Sequence, residues 1–361
     1  MANSWRTHGV KLLSAGSVMI ALLSSLLVGL LTAPIVSAHA AQRTAKTSST
    51  SASCLQPPAN VDLTTLSDAQ LAVYGLPARA RYQGRLAYWK KLIQHAKHRY
   101  CGPLVKLNKQ FSHETLHRPY TREIDNDTWA GNIAIDHSYN EVESTWNVPC
   151  VSTSSYRPAE VYQWVGLGGD GADYSNQGTD YHTLEQAGTG SGINTDGSTY
   201  YFAWFEDVPY DAYAIPTTNY SSRYVTYCAD SMYVYLDSNL SYSRKVYYYI
   251  EDVTQDWYFP HQEGSGSYSW LTDGSSAEWI VERPGTVPTA LADFSLTEAY
   301  FGSAQTLRSG ASLYVGQTTH NYANMYNYDS CSRADCGTEL AYPGPIINGG
   351  QDFYVYFVSS Y

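Results

Sequence analysis

The chain is poor in charge. Lys, Arg, Asp and Glu make up 15% of its 361 residues, against about a quarter in an ordinary domain. With 14% aromatic residues, that deficit excludes a disordered chain and a coiled coil. Basic residues are scarcest after residue 122, where 7 Lys and Arg face 30 Asp and Glu and leave a net charge of −23. Such a surface repels nucleic acid and anionic membranes. No GxSxG elbow, GxGxxG loop or Walker loop is present, and no CxxC pair is spaced for zinc. The sequence therefore implies no cofactor and no bound metal. After residue 41 no apolar run is long enough to span a bilayer.

The charge that is present is unevenly placed. Residues 1–122 hold 15 Lys and Arg against 3 Asp and Glu, a net +12. A basic partner for the acidic region is thus written into the same chain. The first 41 residues read as a signal peptide: Arg6 and Lys11 open it, residues 12–36 are uncharged, and Ala38-His39-Ala40 fits a cleavage site. The alternative, an uncleaved membrane anchor, is weakened by the Ser, Gly and Pro in the stretch. Six cysteines (54, 101, 150, 228, 331 and 336) suit an exported, disulfide-bonded chain. Cys331 and Cys336 enclose a short polar loop and are expected to pair. If Cys54 and Cys101 pair, Cys150 is left for Cys228.

Residues 42–122 form the basic segment. Ser67-Asp68 can cap a short helix that Gly75 and Pro77 stop. Leu86, Trp89, Leu92, Ile93 and Ala96 recur at helical spacing, with Arg85, Lys90, Lys91, Lys97 and Arg99 opposite. That basic face is either simply solvated or a surface that docks on the acidic region. From 123 onward, short β-branched and aromatic runs alternate with Gly, Asn, Asp and Ser turns, as in Lys245–Ile250 and Phe353–Val358. This is the texture of an all-β sandwich or barrel.

Two motifs are decoys. His113-Glu114-Thr115-Leu116-His117 is an HExxH string, the zinc signature of metallopeptidases. Pro119 would end its helix at once, so it reads as a chance match in a linker. Asp170–Asp173 is acidic and glycine-rich, but lacks EF-hand spacing. Three other strings place chemistry on strands. Tyr162–Gly169 is a strand entering a glycine turn. Tyr201–Glu206 puts Trp204 and Glu206 on one face. Ser275–Glu282 puts Glu278, Ile280 and Glu282 on one face.

Together these strings resemble the eqolisin-type glutamic peptidases, secreted acid endopeptidases made as preproenzymes. The matching pieces run in family order: Asp127–Gly131, Ser144–Pro149, Trp164-Val165-Gly166, Gln186-Ala187-Gly188, Ala203–Glu206, Ala277–Pro284 and Ala292–Phe294. The resemblance implies a two-sheet antiparallel β-sandwich of concanavalin-like jelly-roll type, with a small, partly helical propeptide. It implies a signal peptide (1–41), a basic propeptide (42–122) and a mature domain (123–361). It also implies a dyad of Gln186 and Glu278, with Trp164, Trp204, Glu206 and Glu282 lining a cleft. Two positions depart from the family: Gly168 and Gly190 stand where Asp is common, and Asp170 is the candidate replacement for the first. The expected enzyme is a secreted monomer acting on polypeptides and held by its own propeptide. A β-sandwich glycosidase and a non-catalytic carbohydrate-binding wall protein are the alternatives.

The chemistry suits acid. An ordinary Glu pKa of roughly 4.3 leaves some carboxylate at low pH, where a His base would be fully protonated. A Gln amide does not titrate there and can donate to an oxyanion. The charge split reads as a latch: attraction at neutral pH that fades as carboxylates protonate. The amphipathic helix would then cover or approach the cleft.

Overall fold

The computed structural model describes residues 54–83, 86–107, 123–136, 139–152, 158–169, 184–208, 212–215, 226–238, 246–263, 274–284, 290–327 and 337–360. The signal reading (1–41), the HExxH string, Asp170 and the Cys331/Cys336 loop fall outside these residues. No helix among the described residues is long and apolar enough to cross a membrane.

Helix α1 (Asp68–Val73) begins where expected. Ser67 caps it in a reciprocal pair with Gln70, and Gly75 at φ +71° ends it. Helix α2 (Leu86–His95) follows a 3-10 turn at Arg79–Tyr82. Trp89, Leu92 and Ile93 are buried, as is Ala96 just beyond the helix, whereas Leu86 in the first turn is exposed.

In chain order the strands open with β1 (His98–Arg99), β2 (Val105–Lys106), β3 (Glu123–Asn126), β4 (Trp129–Ala134), β5 (Tyr139–Asn147), β6 (Ala159–Gly168) and β7 (Leu184–Ile193). Next come β8 (Thr199–Asp207), β9 (Tyr213–Ala214), β10 (Ser231–Ser238), β11 (Val246–Asp252), β12 (Trp257–Glu263) and β13 (Ala277–Glu282). The last are β14 (Ala290–Leu291), β15 (Ala299–Arg308), β16 (Ala311–Tyr314), β17 (His320–Tyr326), β18 (Glu339–Pro343) and β19 (Phe353–Phe357).

They form one open hydrogen-bonded network in two facing layers. The back layer runs β16-β15-β5-β10-β11-β12-β1. The front layer runs β2-β9-β8-β7-β6-β13-β4-β17-β18-β19. β15 joins them: Ala299–Phe301 pair with β19, and from Gly302 onward the strand pairs with β5. Pairing is antiparallel except where β1 meets β12, β3 meets β17 and β14 meets β6. The expected β-sandwich is therefore present.

The period of two decides what lies inside. Val165, Ala187, Phe205, Trp279 and Val281 of the front layer meet Val142, Trp146, Val234, Tyr248 and Ile250 of the back layer in one apolar core. Cross-layer hydrogen bonds pin the two: Trp279 Nε1 donates to Glu143 O at 3.0 Å, and Trp146 Nε1 to Thr189 Oγ1 at 3.0 Å. Cys150 and Cys228 are disulfide-bonded, as are Cys54 and Cys101.

The alternate residues of β10–β12 face outward as a tyrosine ladder, and there the basic segment docks. Trp89, Leu92, Ile93, Leu71 and Tyr82 pack with Tyr233, Tyr235, Tyr249 and Tyr258. This corrects two expectations. The apolar face of α2 makes the contact, not the basic one, and it does so on the back layer. Burying rings stabilises more than solvated Lys–carboxylate pairs can. One cation is drawn in: Arg81 pairs with Asp237, beside Glu141 and Tyr235. At the periphery Lys97 pairs with Asp256 at 2.8 Å.

Candidate active site

Gln186 (β7) and Glu278 (β13) lie in the front layer, on the face turned away from the core. Register brings them together. Gly166 of β6 is the cross-strand partner of both Gln186 and Glu278. The two residues thus straddle one glycine, with Cα atoms two strand spacings apart, roughly 9–10 Å. A side chain at Gly166 would meet the Trp164 ring at 2.8 Å and Leu184 Cδ1 at 2.9 Å. The floor between the two groups is thus formed by the Trp164 ring and Leu184, with the Glu185 carbonyl oxygen 3.2 Å from that position.

The same register builds rows across the sheet. Glu206 of β8 completes the dyad row beside Gln186. The next row is Ile280, Trp164, Gly188 and Trp204; the one after is Glu282, Tyr162, Gly190 and Phe202. Of the candidates on described residues, all six share this face: Gln186, Glu278, Trp164, Trp204, Glu206 and Glu282. All six are buried, at 0–1% exposure.

Hydrogen bonds set their roles. Gln186 Nε2 donates to Glu206 Oε2 at 2.6 Å. An amide nitrogen carries two donors, so one N–H remains. Gln186 Oε1 is buried with no hydrogen-bond partner among the described residues. Ser276 Oγ donates to Glu278 Oε1 at 2.9 Å. Trp164 Nε1 donates to Glu282 Oε2 at 2.8 Å, so Glu282 orients the indole, whose ring also meets Trp129 edge-on at 5.3 Å. Burial, with Tyr200, Glu282 and Glu206 nearby, pushes the Tyr162 phenol well above its ordinary range, and it stays neutral.

Two features of the site are not carried by face and spacing alone. Ser276 lies within Ser275–Glu282, where period two gives it no role of its own. The alternation Gly188, Gly190, Gly192 in β7 was a legible signal, because glycine at every second strand position marks a face without side chains. A Gly190 side chain would strike the Phe202 ring at 2.5 Å, so the ring occupies the place where the family's Asp would stand. The Asn126 side-chain amide is buried and donates to Trp129 O and Asn324 O.

Residues 127–338 match the family model described as the Peptidase A4 family. The chain belongs to that family, the eqolisin-type glutamic peptidases, and is an endopeptidase. Membership sets aside the glycosidase and the non-catalytic readings. Among solved structures, the chain is similar to scytalidoglutamic peptidase with a peptide-based transition-state analogue, at 20% identity and TM-score 0.48, covering 64% of this chain and 99% of that one. It is similar to SCP-B, an eqolisin in complex with the tripeptide Ala-Ile-His, at 18% identity and TM-score 0.45, with 64% and 99% covered. The third is aspergilloglutamic peptidase from Aspergillus niger, at 24% identity and TM-score 0.41, with 55% and 99% covered. No curated protein matches the chain.

Proposed function

We propose that the chain is the precursor of a secreted acid endopeptidase that hydrolyses peptide bonds through Gln186 and Glu278. The carrying observation is their shared partner Gly166: a carboxylate and an amide flank one side-chain-free position on a buried face. A scissile peptide over Gly166 lies between them. Glu278, held by Ser276, takes a proton from water, and the hydroxide adds to the carbonyl carbon. The free N–H of Gln186 stabilises the oxyanion, while Glu206 holds the amide so that this donor is preorganised. Glu278 then gives its proton to the leaving amine as the C–N bond breaks. Trp164, set by Glu282, and Trp204 line the cleft.

Residues 42–122 are the propeptide and 1–41 the signal peptide in this reading. Two features support the first. The segment is anchored on the back layer by Arg81 and the tyrosine ladder, and its β2 extends the front layer through β9. Processing falls before Glu123, because β3 pairs with β17 and Arg283 donates twice to Asp127 O. Cutting inside β3 would break the sheet.

The test is hydrolysis of a denatured protein at about pH 3 by wild type and Glu278→Gln. Loss of about 10²–10⁴ in rate is expected in the variant. Pepstatin and chelators should leave wild type active. A fully active Glu278→Gln protein refutes the assignment.

A further inference from the structure

The front layer carries more than the dyad. Beyond Gln186, the outward positions of β7 are Gly188, Gly190 and Gly192, and all three lack side chains. Aromatic residues line both neighbouring strands: Trp164 and Tyr162 on β6, and Trp204, Phe202 and Tyr200 on β8, register partners across the glycines. Their rings lean over the strip. Tyr162 meets Phe202 edge-on at 5.5 Å and Trp204 at 5.4 Å, and Tyr200 stacks on Phe202 at 6.1 Å. The far end is closed by Tyr200 Oη donating to Glu160. The rings thus form a continuous apolar shelf that starts one row from the dyad.

The apolar cluster that holds these rings extends to the basic segment. Leu107, directly after β2, packs against the cluster that contains Trp164, Tyr162, Phe202 and Trp204, and its N–H donates to Ala212 O. An apolar residue of the basic segment therefore joins the edge of the same apolar cluster, beside Ala212. No other basic-segment residue joins that cluster among the described residues.

We propose that the shelf over Gly188 and Gly190, walled by Tyr162, Phe202 and Trp204, is the principal specificity subsite and takes a bulky apolar side chain of the substrate polypeptide. This rests on the peptidase reading above. A peptide whose scissile bond lies between Gln186 and Glu278 runs over β6, along the strand direction. At about 3.3 Å per residue, the two rows beyond the dyad are reached two to four residues from that bond. The ring in the Gly190 position decides the chemistry. It presents an apolar surface that a charged side chain cannot solvate, so Lys or Asp is rejected by desolvation. The selected group is a Leu, Met, Phe or Tyr side chain.

The experiment is a set of internally quenched peptides cleaved by the acid-activated full chain. Each position within four residues of the cut is varied among Leu, Phe, Lys and Asp. Wild type should prefer Leu or Phe at one position two to four residues from the cut by at least about 10-fold in kcat/KM. Gly190→Asp with Phe202→Ala, which removes the ring the new carboxylate would strike, should abolish that preference there and raise relative cleavage of the Lys peptide. Phe202→Ala alone covers poor folding of the double variant: it should cut the preference several-fold. Cleavage by wild type without an apolar preference, or a preference that survives both variants, overturns the subsite and leaves the peptidase reading intact. Failure to cleave any peptide or denatured protein overturns both.

Discussion

Glu251 offers a quantitative test of how this fold tolerates acid. It lies on β11, fully buried on the face that carries the tyrosine ladder. Its Oε2 accepts a hydrogen bond from Tyr249 Oη at 3.0 Å, and its Oε1 has no hydrogen-bond partner among the described residues. Burial, with repulsion from Asp252 and Asp256, pushes its pKa up to about 8, although the Tyr249 bond works the other way. A carboxyl raised in the folded state stabilises below its unfolded pKa, near 4.5, and that stability is lost as pH rises toward 8. Between pH 4 and pH 7 the loss from this group alone is about 3 kcal/mol. Glu251→Gln copies the protonated form and keeps an acceptor for Tyr249. The full-length variant should therefore melt about 6–12 °C above wild type at pH 7, and level with it at pH 3. Thermal unfolding followed by circular dichroism reads both. Equal melting points at pH 7, or a variant equally destabilised at both pH values, would refute the reasoning.

Other expectations follow from single contacts. Gly188→Ala puts a Cβ 2.0 Å from Gln163 O and 2.7 Å from Trp164 Cα, both backbone atoms that cannot swing away. Its urea midpoint should fall by the equivalent of about 3 kcal/mol or more. Arg81→Ala strips Asp237 of its cation, so limited proteolysis should cut residues 54–107 faster at pH 6–7. Burial raises the Asp237 carboxyl above its ordinary range, so it is protonated in acid and the variant should differ less from wild type at pH 3. Replacing Cys150 and Cys228 by Ser should cost about 2–5 kcal/mol, read as a melting point lower by about 5–15 °C.

Local patterns in the sequence carry much of this fold, for physical reasons. Period-two alternation reports which strand residues share a face, so Glu278, Ile280 and Glu282 were grouped from their spacing alone. The cap at Ser67 and the apolar repeat of α2 are local signals, and both elements formed. Register is not local. Nothing in Tyr162–Gly169 says that Gly166 pairs with Gln186 on one side and Glu278 on the other. The docking face of α2 is not local either. Net charge predicted attraction between the segments, but rings rather than charges fill their contact, and those rings belong to the back layer. A charge count has no address on the surface. The glycines of β7 mark a face only through the aromatic strands that register places beside them.

The proposed role of Gln186 is to stabilise the transition state, beside its hydrogen bond to Glu206. Its most direct measurement is steady-state kinetics of Gln186→Ala on a peptide substrate near pH 3, alongside an unfolding curve. In Gln186→Ala kcat should fall by about 10²–10³ with KM close to wild type, while the unfolding curve shifts by about 1–3 kcal/mol, the cost of losing the buried bond to Glu206. Unchanged kcat, or a loss confined to KM, would contradict it.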